Sequence, residues 1–372
     1  MKILHINCNY IGTALHQIMM NHFTDPGIIH QVFCPTYDKS LLKYEINDNV
    51  IVKECFSKWN RVFFFLKQMK IIRAIENEYD MESFHMIHAY TLFTDGNAAM
   101  ELSRKYGLPY VVAVRDTDIN TFLKVKPYLK ARAWTIIKNA KVIFFLSRPY
   151  RDQLMSLCVP KQDRQDILRK CCIVPNGIDD YWHEHRYAGD FAERKNRIAK
   201  KQLNVVFVGR IDERKNPLTT QNAITILRKR GWQVKLQFAG GIENKRLFDA
   251  VLQYPNTKYW GKLGKDEMVR LYQDSDIFVM PSHTETFGLV YAEAMSQGLP
   301  VIYTKGQGFD GQFPEGTVGY AVDDNNPEDV ADKIEMVLKN FEEIGKNAVE
   351  EIKEFKWGEI CEEYERVYRT KF

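Results

Sequence analysis

The chain has 372 residues, 45% of them hydrophobic and 27% charged, and a net charge of +4. That balance excludes disordered and fibrous classes and leaves room for two ordinary domains. No window approaches the roughly 18 consecutive apolar residues of a membrane span, and the small charge, with no binding module, argues against a nucleic-acid partner. The seven cysteines are odd in number and show no C-x-x-C spacing, so we expect free thiols in a reducing compartment.

The chain opens with MKILHINCNYIG, a strand pattern without the apolar core and cleavage site of a secretory signal; the expected location is cytoplasmic. KILHIN (2–7), IIHQVFC (28–34), VIVKEC (50–55), MIHAY (86–90), PYVVAVR (109–115) and KVIFFLS (141–147) read as strands. Several are continuous apolar runs, which suit a parallel sheet covered on both faces. DGNAAMELSRKYG (95–107) is helical and closes at Gly107 and Pro109. After the turn signal IVPNGID comes a charged stretch, and then the plan repeats. LNVVFVG (203–209), QVKLQFAGG (233–241), TKYWG (257–261), DIFVMPS (276–282), LPVIYT (299–304) and VGYAV (318–322) are the second set of strands. Strand–helix alternation predicts right-handed βαβ units and doubly wound α/β sheets. We place the boundary near residues 176–200, with a first domain over 1–185, a second over 186–355, and a C-terminal helix over 356–372 crossing back to the first. Two such domains on a short linker predict a cleft, with ligand outside the carboxyl ends of the strands.

Two segments carry chemistry. In VFVGRIDERKNP a strand ends at Gly209, and Arg210 and Lys215 follow. Glycine lets a ligand approach the backbone closely, and two cations there can neutralise a diphosphate by forked hydrogen bonds and point charge. The competing reading is a solvated charged turn with internal ion pairs. In DIFVMPSHTETFGLVYAEAMSQGLP a strand and a polar loop lead into a helix ended by Gly298 and Pro300. The amides of Phe287, Gly288 and Leu289 are then first-turn donors, a natural anion site. Glu285 stands before the helix and Glu293 about two turns into it, on the order of 12 Å apart. That spacing suits a sugar at one carboxylate and a ribose at the other, since a carboxylate takes two hydroxyls by charge-assisted hydrogen bonds. The plainer alternative makes Glu285 a dipole partner and Glu293 a surface residue.

The pairing of G-R-x-x-x-x-K with E-x-F-G-x-x-x-x-E-A-x-x-x-G-x-P-V resembles the retaining glycosyltransferases of family 4, with the two-domain GT-B fold of facing Rossmann-like domains. The likeness is strongest from Val205 to Val322. It implies an acceptor-binding first domain and a second domain that binds a nucleotide-diphosphate sugar, UDP-linked by expectation. By the resemblance Arg210 and Lys215 hold the diphosphate, Glu293 the ribose and Glu285 the donor sugar, while the Phe287–Leu289 amides touch sugar and phosphate. Leu263, in WGKLG, borders the base, and Gly12, Gly209 and Gly240 lie at the donor. The resemblance implies net retention of the anomeric configuration, no cofactor besides the donor substrate, and no metal.

Two departures stand out. The usual Gly-Gly loop after the first strand is NYIGTALHQ here, with Gly12 alone. The usual first-domain His is replaced in PYVVAVRDTD by Arg115, followed by Asp116 and Asp118. Arginine cannot serve as a base near neutral pH, so Arg115 is expected to bind phosphate or orient a carboxylate, with Asp116 or Asp118 meeting sugar or acceptor. His88, in MIHAY, is a further candidate, although a lone His after a strand is more often structural. The DTD triplet also fits a metal-binding D-x-D of another glycosyltransferase fold. From Ile119 to Arg151 there is no acidic residue against eight basic ones, and Lys58–Arg73 mixes cations with Trp59, Phe63, Phe64, Phe65 and Leu66. These stretches are expected to meet an anionic membrane, and with it a polysaccharide or lipid-linked glycan acceptor at the cytoplasmic face. Phe63–Leu66 as plain core is the alternative. Competing functions are a nucleotide-sugar epimerase or phosphorylase on the same fold, and a non-catalytic subunit binding a glycan or partner enzyme.

Overall fold

The computed structural model describes residues 1–61 and 63–372, without the side chains of Asn60 and Arg61. It divides into two units, Met1–Pro175 with Trp357–Phe372, and Asn176–Lys356. In the first unit β1 (Lys2–Ile6), β2 (Ile29–Thr36), β3 (Val50–Glu54), β4 (Met86–Ala89), β5 (Tyr110–Val114), β6 (Val142–Phe145) and β7 (Cys171–Ile173) form one sheet in the order β3-β2-β1-β4-β5-β6-β7. Every pair is parallel, with Ile3 opposite Met86 and Ile87 opposite Tyr110.

Because side chains alternate along a strand, the apolar runs feed two cores. Leu4, Ile6, Phe33, Val112 and Phe145 face one, closed by Phe64, Ile71, Leu102 and Ile136 of three helices. Ile3, Val32, Val111 and Phe144 face the other, closed by Met19 and by Trp357, Ile360, Cys361, Tyr364 and Tyr368. The last five recur at three- and four-residue steps along the terminal helix Trp357–Lys371, the stripe that seats a helix on a sheet. Asp25 and Arg369 pair at its outer end, and Glu365 accepts the amides of Thr24 and Asp25 at 3.1 and 3.0 Å.

The second unit is a sheet of β8 (Gln202–Val208), β9 (Gln233–Ala239), β10 (Thr257–Tyr259), β11 (Ile277–Val279), β12 (Val301–Thr304) and β13 (Gly319–Val322) in the order β10-β9-β8-β11-β12-β13, again all parallel. All twelve expected strands are present, eleven within a residue or two and DIFVMPS shorter by three at its carboxyl end. β7 was not expected; three residues are too few to show a periodicity.

The division differs from the expected 185/186 boundary. Residues 176–185 pack with the second unit: Ile178 N–H donates to Phe355 O at 2.9 Å, Lys265 pairs with Asp179 at 2.6 Å, and the Trp182 ring lies 5.9 Å from that of Tyr272. The charged run after them is the short helix Ala192–Ala199, whose Arg194 is buried and donates to the carbonyl oxygens of Tyr272, Gln273, Gln297 and Gly298. Composition marks that stretch as a linker, but these contacts place it in the second unit.

Of the Lys58–Arg73 stretch, Val62 and the side chains of Asn60 and Arg61 lie outside the described residues. Phe64–Glu78 is a helix that buries Phe64, Gln68, Ile71, Ala74 and Ile75. Phe63, Phe65, Leu66 and Met69 are exposed, as is Trp59 at 82%. Within Phe63–Leu66, therefore, the core takes Phe64 alone. Among the described residues no helix is long and apolar enough to cross a membrane.

Candidate functional site

The carboxyl ends of β8 and β11 bring Lys215 and Glu285 together. After β8, Asp212 accepts the Lys215 amide at 2.8 Å and caps the turn Glu213–Lys215. Asn216, in the left-handed region, donates to the carbonyls of Pro281 and Asp324 at 2.9 and 2.7 Å. His283 N–H donates to Arg214 O at 2.9 Å, and Arg214 Nη1 to Thr284 O at 3.2 Å. Two loops seventy residues apart are thereby stapled side by side. Between them the Lys215 ammonium meets the Glu285 carboxylate, and the two residues are only 8% and 7% exposed. A pair so buried is compensated only while both charges are present.

Glu285 is held on every side. Its amide donates to Gln307 Oε1 at 3.0 Å, its carbonyl accepts Gly308 N–H at 3.1 Å, and its Oε1 accepts Thr286 N–H at 3.1 Å. A Cβ on Gly308 would stand 1.9 Å from Thr286 O, so only glycine lets the two loops touch. Gly288, at φ +83°, precedes the helix Leu289–Ser296, and a Cβ there would lie 2.4 Å from the Tyr291 ring and 3.1 Å from Glu285 Cγ. No acceptor on the described residues takes the amides of Phe287, Gly288 or Leu289, leaving them as the unpaired donors of a helix start.

The other expected donor residues differ in exposure and bonding. Gly209 continues the ladder through its bond to Ala239 O at 2.9 Å, and Arg210 is half-exposed, with a loose 3.6 Å pair to Asp212. The charged turn thus divides: Arg210 stands in solvent and Lys215 turns inward. Gly240 donates its amide to Gly261 O at 2.7 Å and its carbonyl accepts the Tyr259 hydroxyl at 2.7 Å, so it ties the end of β9 to that of β10 with no free donor for a ligand. Leu263 is partly exposed in the loop beyond β10. Glu293 is half-buried in the helix Leu289–Ser296. Burial, aided by Asp179 and opposed by Lys265, pushes its carboxyl up to about 7.

In the first unit the strand ends hold a different set. Asp118 is 1% exposed and accepts the amides of Leu92 at 3.0 Å, Phe93 at 3.3 Å and Arg115 at 2.9 Å. Burial still pushes it up to about 6 against those bonds. Both oxygens are thus engaged in tying β5 to the loop after β4. That arrangement disfavours Asp118 as a group that meets the sugar, and with it chelation by the DTD triplet. Asp116 is buried. Arg115 is buried beside Tyr90, His16, His88 and Tyr364; its Nε donates to Tyr90 O at 3.2 Å. His88 is fully buried, bonded to the Tyr368 hydroxyl at 2.6 Å and stacked on Tyr90, and burial holds it well below the usual imidazole range; it is structural. Gly12 is exposed in a tight turn, its amide on Asn9 O at 3.1 Å.

Sequence reasoning missed Gln307, Gly308 and His16. The glycine-spaced KGQGFDGQ directly after LPVIYT was a legible signal for the first two. His16 had none beyond its place after the first strand.

Two family models cover nearly all of the chain: glycosyltransferase family 4 over residues 18–181 and glycosyl transferases group 1 over residues 190–354. The D-inositol 3-phosphate glycosyltransferase of Paenarthrobacter aurescens is 26% identical over 302 residues, 74% of this chain and 70% of that one. The solved sucrose-phosphate synthase of Thermosynechococcus elongatus superposes with a TM-score of 0.75 at 18% identity, covering 99% of this chain and 98% of its own. Anabaena HepE, solved with UDP and glucose, does so at 0.66 and 16% over the full length of both. Two parallel α/β sheets with a family model on each half make this chain a member of the family-4-like glycosyltransferases with the GT-B fold.

Proposed function

We propose that the chain transfers a hexose from a nucleotide-diphosphate sugar, UDP-linked, to a polysaccharide or lipid-linked glycan at the cytoplasmic membrane face, with retention of configuration and without a metal. The observation that carries the donor half is the buried Lys215–Glu285 pair beside the free amides of Phe287–Leu289. In this reading the pair is a resting arrangement. The donor's β-phosphate takes Lys215 and those amides, a sugar hydroxyl takes Glu285, and half-exposed Arg210 swings onto the diphosphate. As the C1–O bond to phosphate breaks, these cations stabilise the charge growing on the leaving oxygen. The acceptor oxygen bonds to C1 on the same face and its proton passes to that phosphate oxygen. Glu293 is the ribose grip. HepE, solved with UDP-glucose, supports the choice of base.

The exposed Trp59, Phe63, Phe65, Leu66 and Met69 favour the membrane half of the reading, with Lys58, Lys70 and Arg73 also exposed along that stretch. Rings of Phe64 and Phe93 lie 6.3 Å apart and those of Phe93 and Phe122 are stacked at 5.0 Å. That chain of contacts joins this face to the acid-free segment, where Val125 and Tyr128 are 69% and 66% exposed. Aromatic groups among cations suit an interface with anionic lipid.

A panel of uridine and guanosine diphosphate hexoses, scored by thermal shift and slow hydrolysis, tests the donor. A UDP-hexose should stabilise the protein and release its sugar with the anomeric configuration kept; wild-type turnover in both Arg210→Ala and Lys215→Ala proteins would refute the assignment. Flotation with anionic and neutral vesicles tests the membrane surface, and binding to neither would sink it.

A further inference from the structure

Two buried arginines in this protein make an instructive contrast. Arg194, 3% exposed, spends its guanidinium on four main-chain carbonyl oxygens and stacks 4.6 Å from the Tyr187 ring centroid. Arg115, 7% exposed, has the Tyr90 carbonyl at 3.2 Å and the Tyr364 hydroxyl. It forms no ion pair with a carboxylate among the described residues. Of the two carboxylates that follow it in the chain, Asp116 is buried but forms no ion pair with it, and Asp118 bonds the Arg115 main-chain amide instead. The other titratable groups around the guanidinium are His16, His88, Tyr90 and Tyr364, none of them a resident anion. A guanidinium keeps its charge at any pH the protein meets, and a buried charge without a counter-charge is costly.

A second observation lies against the same residues. His16 is 8% exposed, sits edge-on to Tyr90 with centroids 5.3 Å apart, and its Nδ1 has no hydrogen-bond partner although it is buried. Burial and the neighbouring Arg115 push this imidazole down to about 3, so it is neutral and has an N–H to give. Buried polar atoms are rarely left unpaired, and one beside an uncompensated cation points to an absent partner of negative charge.

We propose that Arg115 and His16 form an oxyanion site in the first unit, which takes a phosphate or carboxylate group carried by the glycan acceptor. The site needs only the protein's own side chains; its assignment to the acceptor rests on the glycosyltransferase reading above. The guanidinium supplies the charge and a forked pair of N–H donors, and His16 adds a neutral donor. The oxyanion occupies the position that a buried arginine otherwise fills with a carboxylate. Acceptors lacking an anionic group then leave the cation bare and are rejected.

Inorganic phosphate is the probe, titrated by thermal shift in two backgrounds that silence the donor site: wild-type protein saturated with UDP, and Arg210→Ala protein. Phosphate should raise the melting temperature in both, and Arg115→Gln should weaken that effect at least about tenfold in affinity. In the wild-type protein the His16 imidazole resonance should move on adding phosphate, a reading that does not depend on the variant folding. A phosphate effect that vanishes when UDP is bound would assign the oxyanion to the donor and overturn the proposal. So would an unchanged effect in Arg115→Gln or a stationary His16 resonance. Failure of UDP to bind would count against the donor reading alone, since the Arg210→Ala arm still decides this one.

Discussion

Lys215 and Glu285 offer a direct test of whether the donor site is held by a compensated pair. Each is less than a tenth exposed. Replacing one alone leaves the other as a buried charge, which costs about 3–5 kcal/mol. Lys215→Met should fall at the lower end, because Glu285 keeps the Thr286 amide at 3.1 Å. In Lys215→Met/Glu285→Gln both charges are gone and the volume is nearly kept, so the loss should be about 1–2 kcal/mol. The singles then sum to far more than the double, with a coupling energy of at least ~2 kcal/mol. For a unit of this size 1 kcal/mol moves the melting temperature by about 2–4 °C. Calorimetry should therefore show singles lowered by roughly 6–20 °C and a double mutant closer to wild type than either. Losses that add within ~0.5 kcal/mol would refute the reasoning. Turnover of a UDP-hexose separates the roles: all three variants should lose it, including the stable double mutant.

Gly308→Ala would drive a methyl group to 1.9 Å from Thr286 O; it should lower stability by more than about 1 kcal/mol and weaken UDP binding, with unchanged values counting against the loop contact. Glu293 has a pH signature. Its folded pKa of about 7 exceeds the ordinary 4.5, so below pH 4.5 both states are protonated and it contributes nothing. Between 4.5 and 7 the unfolded chain ionises first and stability falls, and above 7 the penalty is constant. Glu293→Gln should relieve about 3 kcal/mol at pH 8 and nothing at pH 4. If Glu293 grips the ribose, UDP-glucose affinity should rise from pH 6 to 8 in the wild type and stay flat in the variant, as isothermal titration can show. Arg210→Ala, at a half-exposed position, should spare stability within ~0.5 kcal/mol yet cut turnover at least about a hundredfold; a stable and fully active variant would remove it from the site.

The segments of the proposed donor site were legible because their signals are local. A strand end followed by Arg210 and Lys215, and a loop carrying Glu285 into a helix, can be read from spacing and capping alone. The first unit was less legible. PYVVAVRDTD shows two aspartates and an arginine at a strand end, but not that Asp118 turns inward to three amides while Arg115 is left without a carboxylate. Which way a polar side chain turns is decided by what long-range packing leaves unpaired, and periodicity carries no record of it.

By itself, then, the sequence determined two parallel α/β sheets, their strands, and the two charged segments from which a diphosphate-sugar site is proposed. Strand pattern, glycine and charge act within a few residues of one another, so they survive in one dimension. Only the tertiary structure decided that residues 176–185 pack with the second unit, that Lys215 closes onto Glu285, that Gly308 admits the Glu285 loop, and that His16 lies against Arg115 and Tyr90. Each of these joins segments distant in the chain, and the free energy that fixes them comes from burial and charge compensation realised only when those segments meet.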